Sequence, residues 1–149
     1  MTIDFLNQAK SGDRRSLARI LSALENGTLG IEHALSVLGP VPNPLQDEWQ
    51  TLAITGAPGV GKSCLLDGLL RSWAEKGLRV AVLAVDPSSP RTGGALLGDR
   101  VRMTVVDDVD LNQLIYLRSV ATRKASGSVP VFVEDMTKVL LALGWQKVI

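Results

Sequence analysis

The sequence predicts an α/β fold: a mostly parallel sheet flanked by helices and preceded by an N-terminal helical extension. Three observations predict it. The run RVAVLAVD (Arg79 to Asp86) is apolar on both faces, as a parallel strand covered on both sides must be. From Trp49 onward short apolar runs alternate with amphipathic helical stretches, the pattern of strand-helix-strand units, whereas residues 1–38 show helical spacing alone. A glycine-rich turn, Gly56 to Ser63, stands between the first apolar run and the first helix of the later part.

The elements follow in chain order. Phe5, Leu6 and Ala9 recur at helical spacing, as do Leu17, Ile20, Leu21 and Leu24, and Asn26-Gly27 closes that second helix. Thr28 is the expected cap of a third helix ending at Leu38. GPVPNP (Gly39 to Pro44) then places three prolines, each without a backbone donor, in six residues, which marks a linker. The expected organisation is therefore a helical extension over 1–38, a linker over 39–48 and a second domain over 49–149. Within the latter, TLAIT (Thr51 to Thr55) is expected as a strand. KSCLLDGLLRSWAEKG forms a helix with Leu66, Leu69, Leu70 and Trp73 on one face, stopped by Gly77. The stretch PSSPRTGGALLGD after Asp86 holds too many prolines and glycines for a long regular element, and loops at the carboxyl ends of strands are where open α/β sheets place ligands. LIYLRSV (Leu114 to Val120) reads as a strand and ATRKASGS as a loop. FVEDMTKVLLALG reads as a helix burying Val133, Met136, Val139 and Leu140, and WQKVI as the start of a strand.

Composition narrows the function. The 149 residues carry 16 Lys plus Arg against 15 Asp plus Glu, and 46% are hydrophobic. Basic and acidic residues number 4 and 6 before Trp49 and 12 and 9 from it onward, so neither part is a polycation that would hold nucleic acid by bulk charge. The single Cys64 excludes an intramolecular disulfide framework. The N-terminus MTIDFLNQAK mixes acids among its apolar residues and lacks the basic start and apolar core of a signal peptide, and no membrane span or transit peptide is seen. The expectation is a soluble cytoplasmic protein with no membrane or nucleic-acid partner.

The strongest local signal is Gly56-Ala57-Pro58-Gly59-Val60-Gly61-Lys62-Ser63, which fits G-x-x-x-x-G-K-[ST] at every fixed position. Between a strand and a helix, such a P-loop turns successive backbone N–H groups and the positive helix end toward phosphate oxygens. Glycines permit close approach, Lys62 supplies a point charge to the β and γ phosphates, and Ser63 offers a hydroxyl to Mg²⁺. Cys64 follows in the same loop; it is read either as a small buried apolar filler or as a thiol exposed to chemistry when nucleotide is absent. Magnesium also needs a carboxylate. Asp86, at the end of RVAVLAVD, and Asp99, in the following loop, are the candidates; the alternatives are a loop cap over Ser88 and Ser89 for Asp86 and a helix cap before RVRM for Asp99.

The segment VAVLAVDPSSPRTGGALLGDRVRM (Val80 to Met103), after GAPGVGKS and with SGDRRSLARILSALENG upstream, closely resembles the MeaB/ArgK family of GTPases. The DPSSP, TGG and LGDR elements are more specific than the P-loop. The likeness runs from about Ala9 to the end of the chain, although Ser126-Gly127-Ser128 replaces the usual Gly-Gly. The resemblance implies a P-loop NTPase fold and GTP or GDP as ligand with Mg²⁺. It also implies a role as a GTP-dependent chaperone gating cofactor loading and protection of an adenosylcobalamin-dependent acyl-CoA mutase, with a homodimer formed through a C-terminal arm. Position by position, Lys62 and Ser63 match the phosphate and magnesium residues, and Asp86 and Asp99 the aspartates of the DPSS and LGD elements. Lys62 and Asp99 are thereby the catalytic candidates, and Arg100 and Arg102 match basic residues of a switch-like segment, with solvated surface charges as the other reading. The acidic switch strand and the Asn-Lys-x-Asp motif that reads guanine in this family do not occur in these 149 residues, and an N-terminal fragment is expected.

Two other functions compete. A P-loop small-molecule kinase or transport-associated ATPase needs an acceptor pocket and a lid with arginines, for which Arg91, Arg118 and Arg123 are the available residues. A metallochaperone GTPase needs a Cys/His cluster, and His33 and Cys64 are the only such residues. Trp49, Trp73 and Trp145 are read as packing residues.

Overall fold

A computed structural model describes residues 2–46, 48–57, 59–86, 103–121 and 129–149, with only the backbone of Asp86. Among these residues are helices α1 (Thr2–Lys10), α2 (Arg14–Glu25), α3 (Ile31–Leu38), α4 (Lys62–Glu75) and α5 (Val131–Ala142), and strands β1 (Val80–Asp86), β2 (Ile115–Ala121) and β3 (Lys147–Val148). Two short 3₁₀ turns, Thr104–Asp107 and Asn112–Leu114, precede β2. The chain divides into two compact units: Met1–Glu48 with Pro130–Trp145, and Trp49–Val129 with Gln146–Ile149. No described helix is long and apolar enough to cross a membrane.

The first unit is helical. The apolar stripes predicted for α1 and α2 are buried, Leu6 and Leu21 completely and Leu17, Ile20 and Leu24 nearly so. α5, distant in sequence, packs against α2 and α3 and buries Met136, Val139 and Leu140. Polar contacts fix the α1–α2 corner. Asp13 stands in extended conformation as the cap of α2, its carboxylate accepting from the Ser16 N–H at 2.8 Å. The buried Ser16 hydroxyl donates to Gln8 Oε1 of α1, also at 2.8 Å, so this polar side chain is satisfied inside the unit. Thr28 does not cap α3 as expected. Its hydroxyl and its N–H both go back to the Ala23 carbonyl, closing α2, and Gly30 takes the cap position of α3 without a side-chain bond.

The second unit holds the sheet, and all its pairings are parallel. The order is β2-β1-β3, with β1 central and in register with β2 from Val80↔Ile115 to Asp86↔Ala121. The expected α/β fold with a parallel sheet and flanking helices is thus present. The strand expected over Thr51–Thr55 is reduced to one parallel bridge, Thr51↔Val148, with the Leu52 N–H donating to the Val148 carbonyl at 3.0 Å. Leu70 and Ala74 of α4 bury against Val80 and Val82 of β1 together with Met103, Val105 and Ile115. Trp73 and Trp49 meet edge to face with ring centroids 5.3 Å apart, and the Lys147 ammonium sits 4.4 Å over the Trp49 ring while bonding its carbonyl.

The Asp13 cap gives the fold a signed acid dependence. Hydrogen bonding from Ser16, through side chain and backbone, holds the Asp13 carboxyl below its ordinary value of 3.8. Its contribution to stability is therefore present above pH 3.8 and is lost as the pH falls through the lower folded value. Asp13→Ala should lower the melting temperature at pH 7 and lessen its further drop between pH 4 and pH 2; thermal melts of both proteins across that range check this. An undiminished acid drop in the variant would show that other carboxylates carry it.

Candidate phosphate-binding site

The site begins where the chain leaves the Thr51 bridge. The loop turns through Gly59 and Gly61, whose φ angles of 80° and 92° lie in the left-handed region that side chains with a Cβ rarely occupy. Gly61 is the cap residue of α4 and has no side chain to bond the first helical N–H groups; the first intrahelical bond runs from the Leu65 N–H to the Gly61 carbonyl at 3.0 Å. The N–H groups of Lys62, Ser63 and Cys64 consequently open the helix without an intrahelical acceptor, at its positive end. Close spacing also constrains Gly56: a Cβ there would stand 3.2 Å from Val60 Cγ2.

Lys62 folds back over this loop. Its ammonium donates to the carbonyls of Gly56 at 2.6 Å and Ala57 at 2.8 Å, which holds a positive charge over the loop. The half-buried Ser63 follows on the first turn of α4, and Gly59 and Val60 are exposed. Pro58 lies outside the described residues. Cys64 is exposed, which corrects its reading as a buried filler: its position on the first turn of α4 faces away from the stripe carrying Leu66, Leu70 and Trp73.

The metal candidates are placed unequally. The backbone of Asp86 ends β1, opposite Ala121, at the carboxyl edge of the sheet. Asp99, Arg100 and Arg102 lie outside the described residues, as do the DPSSP, TGG and LGDR elements beyond Asp86 and two of the arginines considered for a lid, Arg91 and Arg123. Arg118 stands within β2 instead of a loop, and His33 is exposed on α3. No group of three or more His, Cys, Asp or Glu side chains that could hold a metal exists among the described residues. Ser63, with a hydroxyl, and Asp86, an aspartate whose backbone ends a strand, are residue types that suit Mg²⁺, which takes few protein oxygens.

One set of polar contacts made by α4 was not legible in the sequence. Asp67, one turn beyond Ser63, accepts from the Thr104 hydroxyl at 2.9 Å and from the Val105 N–H at 3.0 Å. Arg71, a further turn along, reaches Asp108 at 3.3 Å and Thr104 Oγ1 at 3.4 Å. The Asp108 carboxyl is in turn held below its ordinary value by the Asp110 N–H first and then by the Leu111 N–H and Arg71. Asp67 and Arg71 find partners 37 residues away, and no spacing in the sequence names them.

Comparison with known proteins identifies the family. Residues 17–149 match the family model described as "Methylmalonyl Co-A mutase-associated GTPase MeaB". A protein of Pyrococcus abyssi provisionally named a GTPase is 40% identical over 144 residues, covering 97% of this chain and 42% of its own length. A fused isobutyryl-CoA mutase of Cupriavidus metallidurans is 38% identical over 139 residues, covering 88% of this chain and 12% of that protein. A Mycobacterium bovis protein, again provisionally named a GTPase, is 35% identical over 149 residues, 99% of this chain and 44% of the relative. The chain thus spans less than half the length of each of these three. By the family model and by relatives matched along nearly all of its residues, the chain belongs to the MeaB family of methylmalonyl Co-A mutase-associated GTPases.

Proposed function

We propose that this chain binds GTP and GDP with Mg²⁺ and supplies the nucleotide site of a GTP-hydrolysing chaperone, which gates cofactor loading and protection of an adenosylcobalamin-dependent acyl-CoA mutase. The observation that carries the nucleotide reading is the Lys62 ammonium held over the loop by Gly56 and Ala57, beside an α4 start with no side-chain cap. Phosphate oxygens are stronger acceptors than peptide carbonyls, so a nucleotide would draw the ammonium from these partners while the loop N–H groups bond the same oxygens. Ser63, Asp86 and Asp99 are the residues that would hold Mg²⁺, which would supply positive charge against the phosphate oxygens. Lys62 would stabilise the transferring phosphoryl group, and Asp99 is the second catalytic candidate. The mutase reading is supported by the family description and by the fused relative, in which a MeaB-like stretch shares a chain with a mutase. A homodimer and a cytoplasmic site of action, or the mitochondrial matrix for a eukaryotic relative, complete the proposal.

Three outcomes test it. Lys62→Ala should weaken GDP binding in the presence of Mg²⁺ by at least about a hundredfold, since it removes the principal side-chain charge on the phosphates; calorimetry showing unchanged affinity would remove the phosphate site. These 149 residues contain no Asn-Lys-x-Asp, so GDP and ADP should differ in affinity by less than about tenfold, or ~1.4 kcal/mol. A larger preference measured by parallel titration would reveal another base-reading element. For the partner, adding the protein with GTP to a methylmalonyl-CoA-type mutase should change the rate at which adenosylcobalamin loads, followed by its absorbance. Identical loading with and without the protein would count against the chaperone role.

A further inference from the structure

The glycines of the phosphate loop are required for different reasons. Gly59 and Gly61 have open space where a Cβ would stand, and their positive φ angles account for them. At Gly56 the space is taken. A Cβ there would meet Val60 Cγ2 at 3.2 Å and the Lys62 stem at 3.5 Å for Cδ and 3.7 Å for Cγ, so the Val60 methyl and the lysine methylenes close on one point in front of the Gly56 backbone. The left-handed glycines on either side of Val60 reverse the chain and carry its side chain back to Gly56. Val60 is nonetheless 64% exposed, far too open for a core residue, and it belongs to no described helix or strand. From the same point the Lys62 ammonium reaches the carbonyls of Gly56 and Ala57.

We propose that Val60 is a positioning residue for Lys62: its branched side chain walls the space over Gly56 and lays the lysine stem along the loop, with the ammonium held there before any ligand arrives. The placement of the lysine stands on the contacts just given, and its consequence for a bound phosphate rests on the nucleotide reading above. A four-carbon stem has many rotamers, and a ligand that must first confine it loses affinity to the ordering. A β-branched side chain is stiff at χ1, so it can serve as a wall where a flexible one could not. Alanine at position 60 leaves Gly56 with no methyl over it, and the lysine stem gains room to leave the two carbonyls. Because so much of Val60 is exposed, the change costs the fold little.

The test is acetylation of this chain with limiting acetic anhydride, read lysine by lysine by peptide mass spectrometry, alongside GDP titration and thermal melts, for the parent, Val60→Ala and Val60→Thr. An amine directed into two carbonyls reacts more slowly than one free to swing. In Val60→Ala the acetylation rate of Lys62 should rise by about threefold or more while that of Lys76, at the far end of α4, stays as in the parent. GDP affinity should fall by about threefold with an unchanged melting temperature. Val60→Thr keeps both γ atoms and should return Lys62 to the parent's rate. Val60→Ser, which also lacks both methyl groups, repeats the test should Val60→Ala fail to fold. A Lys62 rate equal to the parent's in the folded variant would overturn the assignment. So would a rise at Lys62 and Lys76 together, which marks a general loosening, or a faster Lys62 with unaltered GDP affinity. A parent that binds no GDP would overturn the nucleotide reading, while the Lys62 rates, measured without nucleotide, still decide whether Val60 places the lysine.

Discussion

The burial of Leu70 and Ala74 against Val80 and Val82 holds the start of α4 in a fixed relation to the carboxyl end of β1, and the candidate site depends on that relation. A phosphate loop works by aiming N–H groups that belong to a helix it does not itself stabilise. The helix has to be placed by apolar packing further along, since Gly61 contributes no cap and the loop glycines contribute no side chains. Burying a Leu or Val side chain is worth about 1.5–3 kcal/mol, against about 0.5–1.5 kcal/mol net for an ordinary hydrogen bond, so the apolar cluster sets the seat of α4. Directional bonds then refine it.

That division of labour explains why polar groups gather where they do. Asp67 and Arg71 sit on the edge of α4 next to its buried stripe, at the height where the chain returns from the connection after β1. Apolar packing of Met103 and Val105 permits small rotations and slides of the turn; two bonds from one carboxylate do not. In the helical unit, Ser16 plays a comparable part between Asp13 and Gln8, converting a corner that packing alone would leave adjustable into one defined by donors and acceptors.

The family membership and the geometry bear on different questions. Similarity along residues 17–149 says which proteins this chain is built like, and the fused mutase relative shows that such a stretch can share a polypeptide with a mutase. The position of the Lys62 ammonium, the open start of α4 and the strand-end place of Asp86 say how a phosphorylated ligand could be held. The two are separate lines of support for the proposed nucleotide site.

By itself the sequence determined the element types and the loop. Period-3.6 stripes such as Leu17, Ile20, Leu21 and Leu24, and an apolar run such as Val80 to Val85, report their own secondary structure because burial of one face or both is a local requirement on spacing. The fixed residues from Gly56 to Ser63 marked a candidate phosphate loop because they encode backbone geometry directly. Tertiary structure decided what depends on partners far away in the chain. It turned Thr28 back to Ala23. It brought α5 to α2 and α3, exposed Cys64, and joined Asp67 to Thr104 and Val105 across more than thirty residues. Hydrogen bonds of that kind leave no periodic trace, because one polar side chain satisfies one distant donor and imposes no spacing on its neighbours.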